Sequence, residues 1–156
     1  MNDPDRLEEL IRTHQDTLYR AALAILGDAQ EAEDAVQDAF LRCWEKAPDF
    51  ESGEHAKAWL LRVTVNGCKS RLRAPWRRRT APLTDAYPAD GPEERETLEA
   101  VRALPAADRA VIHLYYYEGY QTAEIAAITG QREGTVRSRL SRARSRLRDL
   151  LKGEWE

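Results

Sequence analysis

Three rows of side chains in this sequence have types and spacings that could do chemistry, and that chemistry is binding. Near the C-terminus Ser138, Ser141 and Ser145 recur at three- and four-residue intervals. Arg142 lies beside them, with Arg137, Arg144 and Arg148 along one edge and Arg139 and Arg146 along the other. Small hydroxyls let a helix approach a major groove closely, flanking arginines neutralise phosphates on both walls, and Arg142 has the fork to reach a guanine. Upstream, His55, Trp59, Arg62, Asn66, Lys69 and Arg73 fall on one side of a helix. They combine a stacking plane, an amide for a base edge and cations for phosphates, a set suited to an unwound strand. In the third row, Asp34, Gln37, Asp38 and Glu45 surround an outward Leu41, a pattern that can dock on a basic partner helix.

Each row also has a plainer explanation: a solvated arginine-rich helix, a tryptophan packed against the first helix, an acidic face with a stray leucine. Against the first stands the scarcity of acids for i,i+4 pairing, since only Asp149 is at hand. The other two stay open on pattern alone. No nucleophile–base pair, phosphate-cradling glycine loop or ligand cluster occurs. The two cysteines, Cys43 and Cys68, form no CxxC and have no histidine pair nearby, and His55 has no metal-ligating neighbour. No catalysis, cofactor or metal is expected.

The elements that must position these rows are all helical, because apolar residues recur every three or four positions and strand-like alternation is absent. The first helix spans about 5–26 and stops at Gly27. The second follows an Asp28 cap with Glu31 three residues on and runs to about Ala47; the third spans about 54–73. In the second, Ala32, Ala35, Val36, Ala39, Phe40, Cys43 and Ala47 form the inner stripe; in the third, Ala58, Leu61, Val65, Cys68 and Leu72 do. Residues 80–92, with three prolines and a glycine, read as a linker between a domain at 1–79 and a second at 93–156. Helices follow at about 93–103, 106–118, 122–129 and 133–152. The last pair reads as a helix-turn-helix with Ala126 at the close approach and Gly130 at the turn. On the final helix Leu140, Ala143, Leu147, Leu150 and Leu151 all lie within about 60° of Val136 and with it predict a buried stripe.

The formal charge of −3 over 156 residues hides a strong segregation. Residues 1–61 carry a net −8, residues 62–79 carry +7 with no acid, 80–109 carry −4 and 110–156 carry +2. Two basic patches, each joined to an acidic region, suit two contacts with a polyanion and an acidic face for another partner. The longest apolar run, Ala21 to Leu26, is far too short to span a membrane. The start, Met-Asn-Asp-Pro-Asp-Arg, has no export-signal character. A soluble cytoplasmic protein without membrane insertion is expected.

With these segments in hand, EAEDAVQDAFLRCWE at 31–45, AWLLRVTVNGCKSRLR at 58–73 and EGYQTAEIAAITGQREGTVRSRLSRARSRLRDLL at 118–151 together resemble extracytoplasmic-function sigma factors of bacterial RNA polymerase, in the sigma-70 family. The resemblance implies two helical domains on a flexible tether that confer promoter recognition and melting on the polymerase core. It implies docking of Asp34, Gln37, Asp38 and Leu41 on the clamp helices of the largest subunit, with the polymerase flap as a further contact. Capture of the opened −10 element is implied for Ser52, His55, Trp59, Arg62, Asn66, Lys69 and Arg73. Reading of the −35 duplex is implied for Arg137, Ser138, Arg139, Ser141 and Arg142, and an anti-sigma protein is implied as a partner. Gln131 and Arg139 stand where the helix-turn-helix pattern usually has apolar residues, and two positions depart from the family's pattern: Gly67 lies inside the melting helix, and Ser141 stands where bulkier residues are common, which bears on the −35 bases read. The competing readings are a stand-alone helix-turn-helix regulator, which would bind duplex tightly without polymerase, and a helical signalling or enzymatic domain.

Overall fold

The computed structural model describes residues 3–74 and 99–155, with side chains to residue 150. The linker at 80–92, Arg77 to Arg79, most of the helix expected at 93–103 and the side chain of Leu151 lie outside the described residues. Among those described, every regular element is a helix.

The first three helices begin where a side chain can accept an otherwise unpaired backbone N–H. Helix α1 (Pro4–Leu26) is capped by Asp3, whose carboxylate accepts the Asp5 N–H at 3.0 Å, and it ends at Gly27 with φ +74°. Helix α2 (Ala29–Lys46) is capped by Asp28, which accepts the Glu31 N–H at 2.9 Å, as the capping pattern predicts. Helix α3 (Gly53–Leu72) is capped by the Ser52 hydroxyl, which accepts the His55 N–H at 3.1 Å. The three pack around Leu18, Ala22 and Leu26 of α1, Ala32, Ala35 and Ala39 of α2, and Leu61, Val65 and Cys68 of α3, all buried. The alanines of α2 let its axis come close to its neighbours. Both cysteines are buried and free, and burial pushes the Cys43 thiol up.

The C-terminal half has a helical stretch at 99–102, then α4 (Ala106–Ile112), α5 (Thr122–Thr129) and α6 (Glu133–Trp155). The single helix expected over 106–118 is interrupted: from His113 to Tyr117 the turn widens to a π-helix, closed by the Glu118 N–H donating to the His113 carbonyl at 3.1 Å. The wider turn buries His113 and Leu114 while leaving Tyr116 and Tyr117 at the surface. Gly130, at φ +70°, makes the turn between α5 and α6 as expected. The stripe on α6 is shorter than expected. Val136, Leu140 and Ala143 are buried and Leu147 half-buried, but Leu150 is 51% exposed because nothing described reaches the end of α6 to cover it.

The two halves are not held apart. Ile125, Ile128, Val111 and Leu114 join the same apolar cluster as α1–α3, with α4 against α1 and α5 against α3. This explains why α3 buries Ala56, Leu60 and Thr64 beside Leu61, Val65 and Cys68 of the stripe expected of it, while the ends of that stripe, Ala58 and Leu72, are only half-buried: it has neighbours on two sides.

Candidate nucleic-acid interface

The face of α6 opposite Val136, Leu140 and Ala143 carries Ser138, Ser141, Arg142 and Ser145, all exposed. Arg137, also exposed, donates to the Glu133 carboxylate at 2.8 Å, an i,i+4 pair beyond the single acid, Asp149, that the sequence reading counted, and the Thr122 hydroxyl at the start of α5 donates to the same oxygen at 3.0 Å. Glu124 accepts the Gln121 N–H at 2.9 Å, a capping box that seats α5. The helix-turn-helix thus presents its polar face as a rigid unit.

Arg139 is a correction. It turns inward and donates to the Asp108 carboxylate at 3.1 Å, with Asp108 buried and Arg139 only 27% exposed at its side chain. The burial of Asp108 demands a cation, and Arg139 supplies it from the position where an apolar residue is usual. Arg144 is also occupied, lying over the rings of Tyr115 and Tyr116 at 5.3 and 5.5 Å.

On α3, Arg62, Asn66 and Arg73 are exposed, and Trp59 is half-buried, with its ring edge-on to Phe50 at 5.7 Å. Trp59 therefore serves the core and the surface together. It lines a cleft of about 360 Å³ with Arg62, Asn66, Gly67 and Ser70, closed on the α2 side by Arg42 and Lys46. These two cations escaped the sequence reading; the available signal was their i,i+4 spacing on α2, one turn on from Asp38. Ser52 and His55 hold the loop before α3. The Ser52 hydroxyl caps the helix, and His55 accepts the Glu51 N–H through Nδ1 at 3.0 Å while packing against Phe50. Both remain exposed.

Lys69 is the second correction. It lies about 60° around α3 from Asn66, and its ammonium donates to the Thr129 carbonyl at the end of α5 rather than joining the row. Burial, then Arg139 and Arg73, hold its pKa below the ordinary lysine value.

The acidic row on α2 surrounds an outward Leu41. Gln37 and Asp38 are exposed, Leu41 is 57% exposed, and half-buried Asp34 accepts from Gln30 at 3.1 Å. Asp38 pairs with Arg71 of α3 at 2.8 Å. Leu41 forms the ridge between an apolar groove of about 700 Å³, lined by Leu7, Ile11, Val36, Phe40 and Trp44, and a more polar cleft of about 570 Å³ against α3.

The Sigma-70 region 2 model matches residues 10–78 and the Sigma-70, region 4 model matches residues 94–147, each over the half that carries one of the two cationic surfaces. The ECF RNA polymerase sigma factor SigM of Mycobacterium tuberculosis is 40% identical over 149 residues, covering 92% of this chain and 76% of that protein. This chain belongs to the ECF family of RNA polymerase sigma factors. SigL of the same organism is 36% identical over 156 residues, covering 91% of this chain and 86% of that protein. Among solved structures, the sigma factor RpoE in complex with the anti-sigma factor NepR from Bartonella quintana matches with a TM-score of 0.76 at 29% identity, over 94% of this chain and 97% of that one. CnrH in complex with the cytosolic domain of CnrY gives a TM-score of 0.69 at 26% identity, over 97% and 91%. As a sigma factor the protein is a DNA-binding transcription initiation factor, built from two helical domains. Among the described residues no helix of this sigma factor is long and apolar enough to cross a membrane.

Proposed function

We propose that this ECF sigma factor is a non-catalytic, cytoplasmic subunit that recruits the polymerase core through α2, holds the melted −10 strand in the cleft between α2 and α3, and reads the −35 duplex with α6. The division of labour follows domains at 1–79 and 93–156, with 80–92 as linker. The observation that carries the reading is the exposed row of Arg137, Ser138, Ser141 and Arg142 on α6, backed by buried Val136, Leu140 and Ala143. A helix that buries one stripe and offers hydroxyls flanked by arginines on the other has the shape and charge of a major-groove reader. In the −10 cleft Trp59 supplies the stacking surface, Asn66 the base-edge contact, and Arg62, Arg42 and Lys46 the phosphate contacts. Ser52 and His55 position the loop at its mouth, and Arg73 extends the cationic track. Asp34, Gln37, Asp38 and Leu41 form the docking face for the clamp helices, and the C-terminal half meets the flap. The likeness to RpoE and CnrH, each solved with a bound partner protein, supports an anti-sigma protein as a further partner.

Transcription in vitro with purified core on a library of promoters tests this. Core-dependent initiation at a shared −35/−10 pair is expected. Tight binding to a palindromic duplex without core, and no initiation with it, would instead identify a stand-alone regulator.

A further inference from the structure

The cleft between α2 and α3 gathers more charge than one strand nucleotide brings to it. Arg42 and Lys46 line it from α2 and Arg62 from α3, and no acid lines it. All three are exposed, and none makes a hydrogen bond or ion pair among the described residues. Three like charges around about 360 Å³ focus a positive field on one small volume and attract a compact anion. Half-buried Trp59, braced edge-on by Phe50, lines one end, and exposed Asn66 and Ser70 offer an amide and a hydroxyl along the same side of α3. Between them lies Gly67. Its backbone is helical without a positive φ, and nothing stands within 4 Å of the place a Cβ would occupy. A glycine there costs α3 helix propensity, and no neighbouring group needs the room. The space above it belongs to the cleft.

We infer that this cleft is also a binding site for a free nucleoside polyphosphate, which sets its base against Trp59 and Asn66 and its phosphates among Arg42, Lys46 and Arg62, over the open floor at Gly67. The inference rests on the −10 reading in one respect, that strand and free nucleotide take the same cleft by the same chemistry. Charge favours the free nucleotide. A strand brings about one charge per nucleotide, and its further charges continue along the track to Arg73 rather than gather at one base. A terminal phosphate brings about −1.5 to −2 at neutral pH, and the inner phosphate of a diphosphate adds to it, which answers three cations together. Size agrees. Ligand pockets run from about 300 to 1,000 Å³, so a cleft of about 360 Å³ holds one base and its sugar, with the phosphates at the rim. A bound nucleotide competes with the −10 base for Trp59, so free nucleotide sets how readily the factor holds an opened promoter.

Calorimetric titration of the full chain with ADP, AMP, adenosine and pyrophosphate tests this. ADP is expected to bind one to one, and AMP about tenfold more weakly, the loss of one charge-assisted contact. Pyrophosphate should also bind about tenfold more weakly than ADP, because it forgoes the stack on Trp59, and adenosine should give no measurable heat. Gly67→Leu fills the floor with a good helix former and should weaken ADP about tenfold, the loss of one contact to phosphate or ring, while circular dichroism stays that of the parent. The double variant Arg42→Gln, Lys46→Gln changes only exposed side chains, should do the same, and decides the matter if Gly67→Leu loses helicity. No binding of ADP, pyrophosphate bound as tightly as ADP, or parental affinity in the double variant would each overturn the site. In holoenzyme, ADP should release a single-stranded −10 oligonucleotide taken from a promoter that the library selects, and retention of the strand at saturating ADP would overturn the competition. The titrations involve neither promoter nor polymerase. A chain that binds ADP but fails to initiate with core would sink the −10 reading with the nucleotide site left standing, and one that initiates but ignores ADP would do the reverse.

Discussion

Arg139 and Arg142 sit three residues apart on α6 and look alike in the sequence, yet their surroundings give them opposite tasks. Arg142 faces outward among the serines, so Arg142→Ala should cost about 1–3 kcal/mol at one base position and relax preference there in a −35 binding assay. A uniform loss across sequences would make it a phosphate contact instead. Arg139→Ala should leave duplex preference unchanged but strand the buried Asp108 carboxylate, lowering stability in chemical denaturation by about 1–3 kcal/mol, reduced from a fully dry pair because Arg139 is partly wet. On α2, Leu41 supplies apolar area and Asp34 charge to one proposed contact. Asp34→Arg with Leu41→Ala should abolish co-purification with polymerase core while circular dichroism stays that of the parent. Undiminished co-purification would remove the docking role.

Helix α3 must do several things along one length. It gives α1 and α2 a buried stripe, meets the C-terminal half with Lys57, and shows Asn66 and Arg62 to the −10 cleft. Gly67 lies in its interior with nothing within 4 Å of the place a Cβ would occupy. Gly67→Ala should therefore stabilise by about 0.5–1 kcal/mol through helix propensity alone, seen as a melting temperature raised by about 1–4 °C. Gly130 has the same open surroundings but φ +70°, so Gly130→Ala should shift the melting temperature the other way, by about 1–2 kcal/mol of left-handed strain. Two glycines, equally uncrowded, are separated by backbone conformation.

For the whole molecule, acid stability should fall in two steps with separate origins. Burial, then repulsion from Lys57, holds the His14 pKa below its ordinary 6.5, outweighing the pull of Glu54. The unfolded chain binds that proton more readily, so stability falls as the pH drops below about 6.5 and through the lowered folded value. Burial pushes the Glu118 carboxyl up, but its hydrogen bond to His113 and the nearby Lys57 ammonium outweigh that and leave it below its ordinary 4.5. Its contribution is present above about pH 4.5 and is lost as the pH falls through the lowered folded value. In denaturant midpoints measured from pH 3 to 8, His14→Asn should flatten the first step and Glu118→Gln the second. An unchanged acid limb in Glu118→Gln would show that its charge contributes nothing to joining the halves.

From the order of its residues alone, this protein's helices, their caps and three outward-facing rows could be drawn, because each depends on contacts within a turn or two. Asp28 needs only Glu31, Gly130 only its own backbone, and the serines of α6 only a 3.6-residue period opposite Val136 and Leu140. Tertiary structure alone decided which cations stay free. Lys69 and Arg139 fit their rows by phase, yet each is claimed by a group 60 or 31 residues away in the chain, Thr129 and Asp108. It also decided that the stripe of α6 runs out before Leu150, and that Arg42 and Lys46 close the cleft beside Trp59. Helical periodicity says which way a side chain points from its own axis; what waits there is set by the packing of distant elements, which no local pattern encodes.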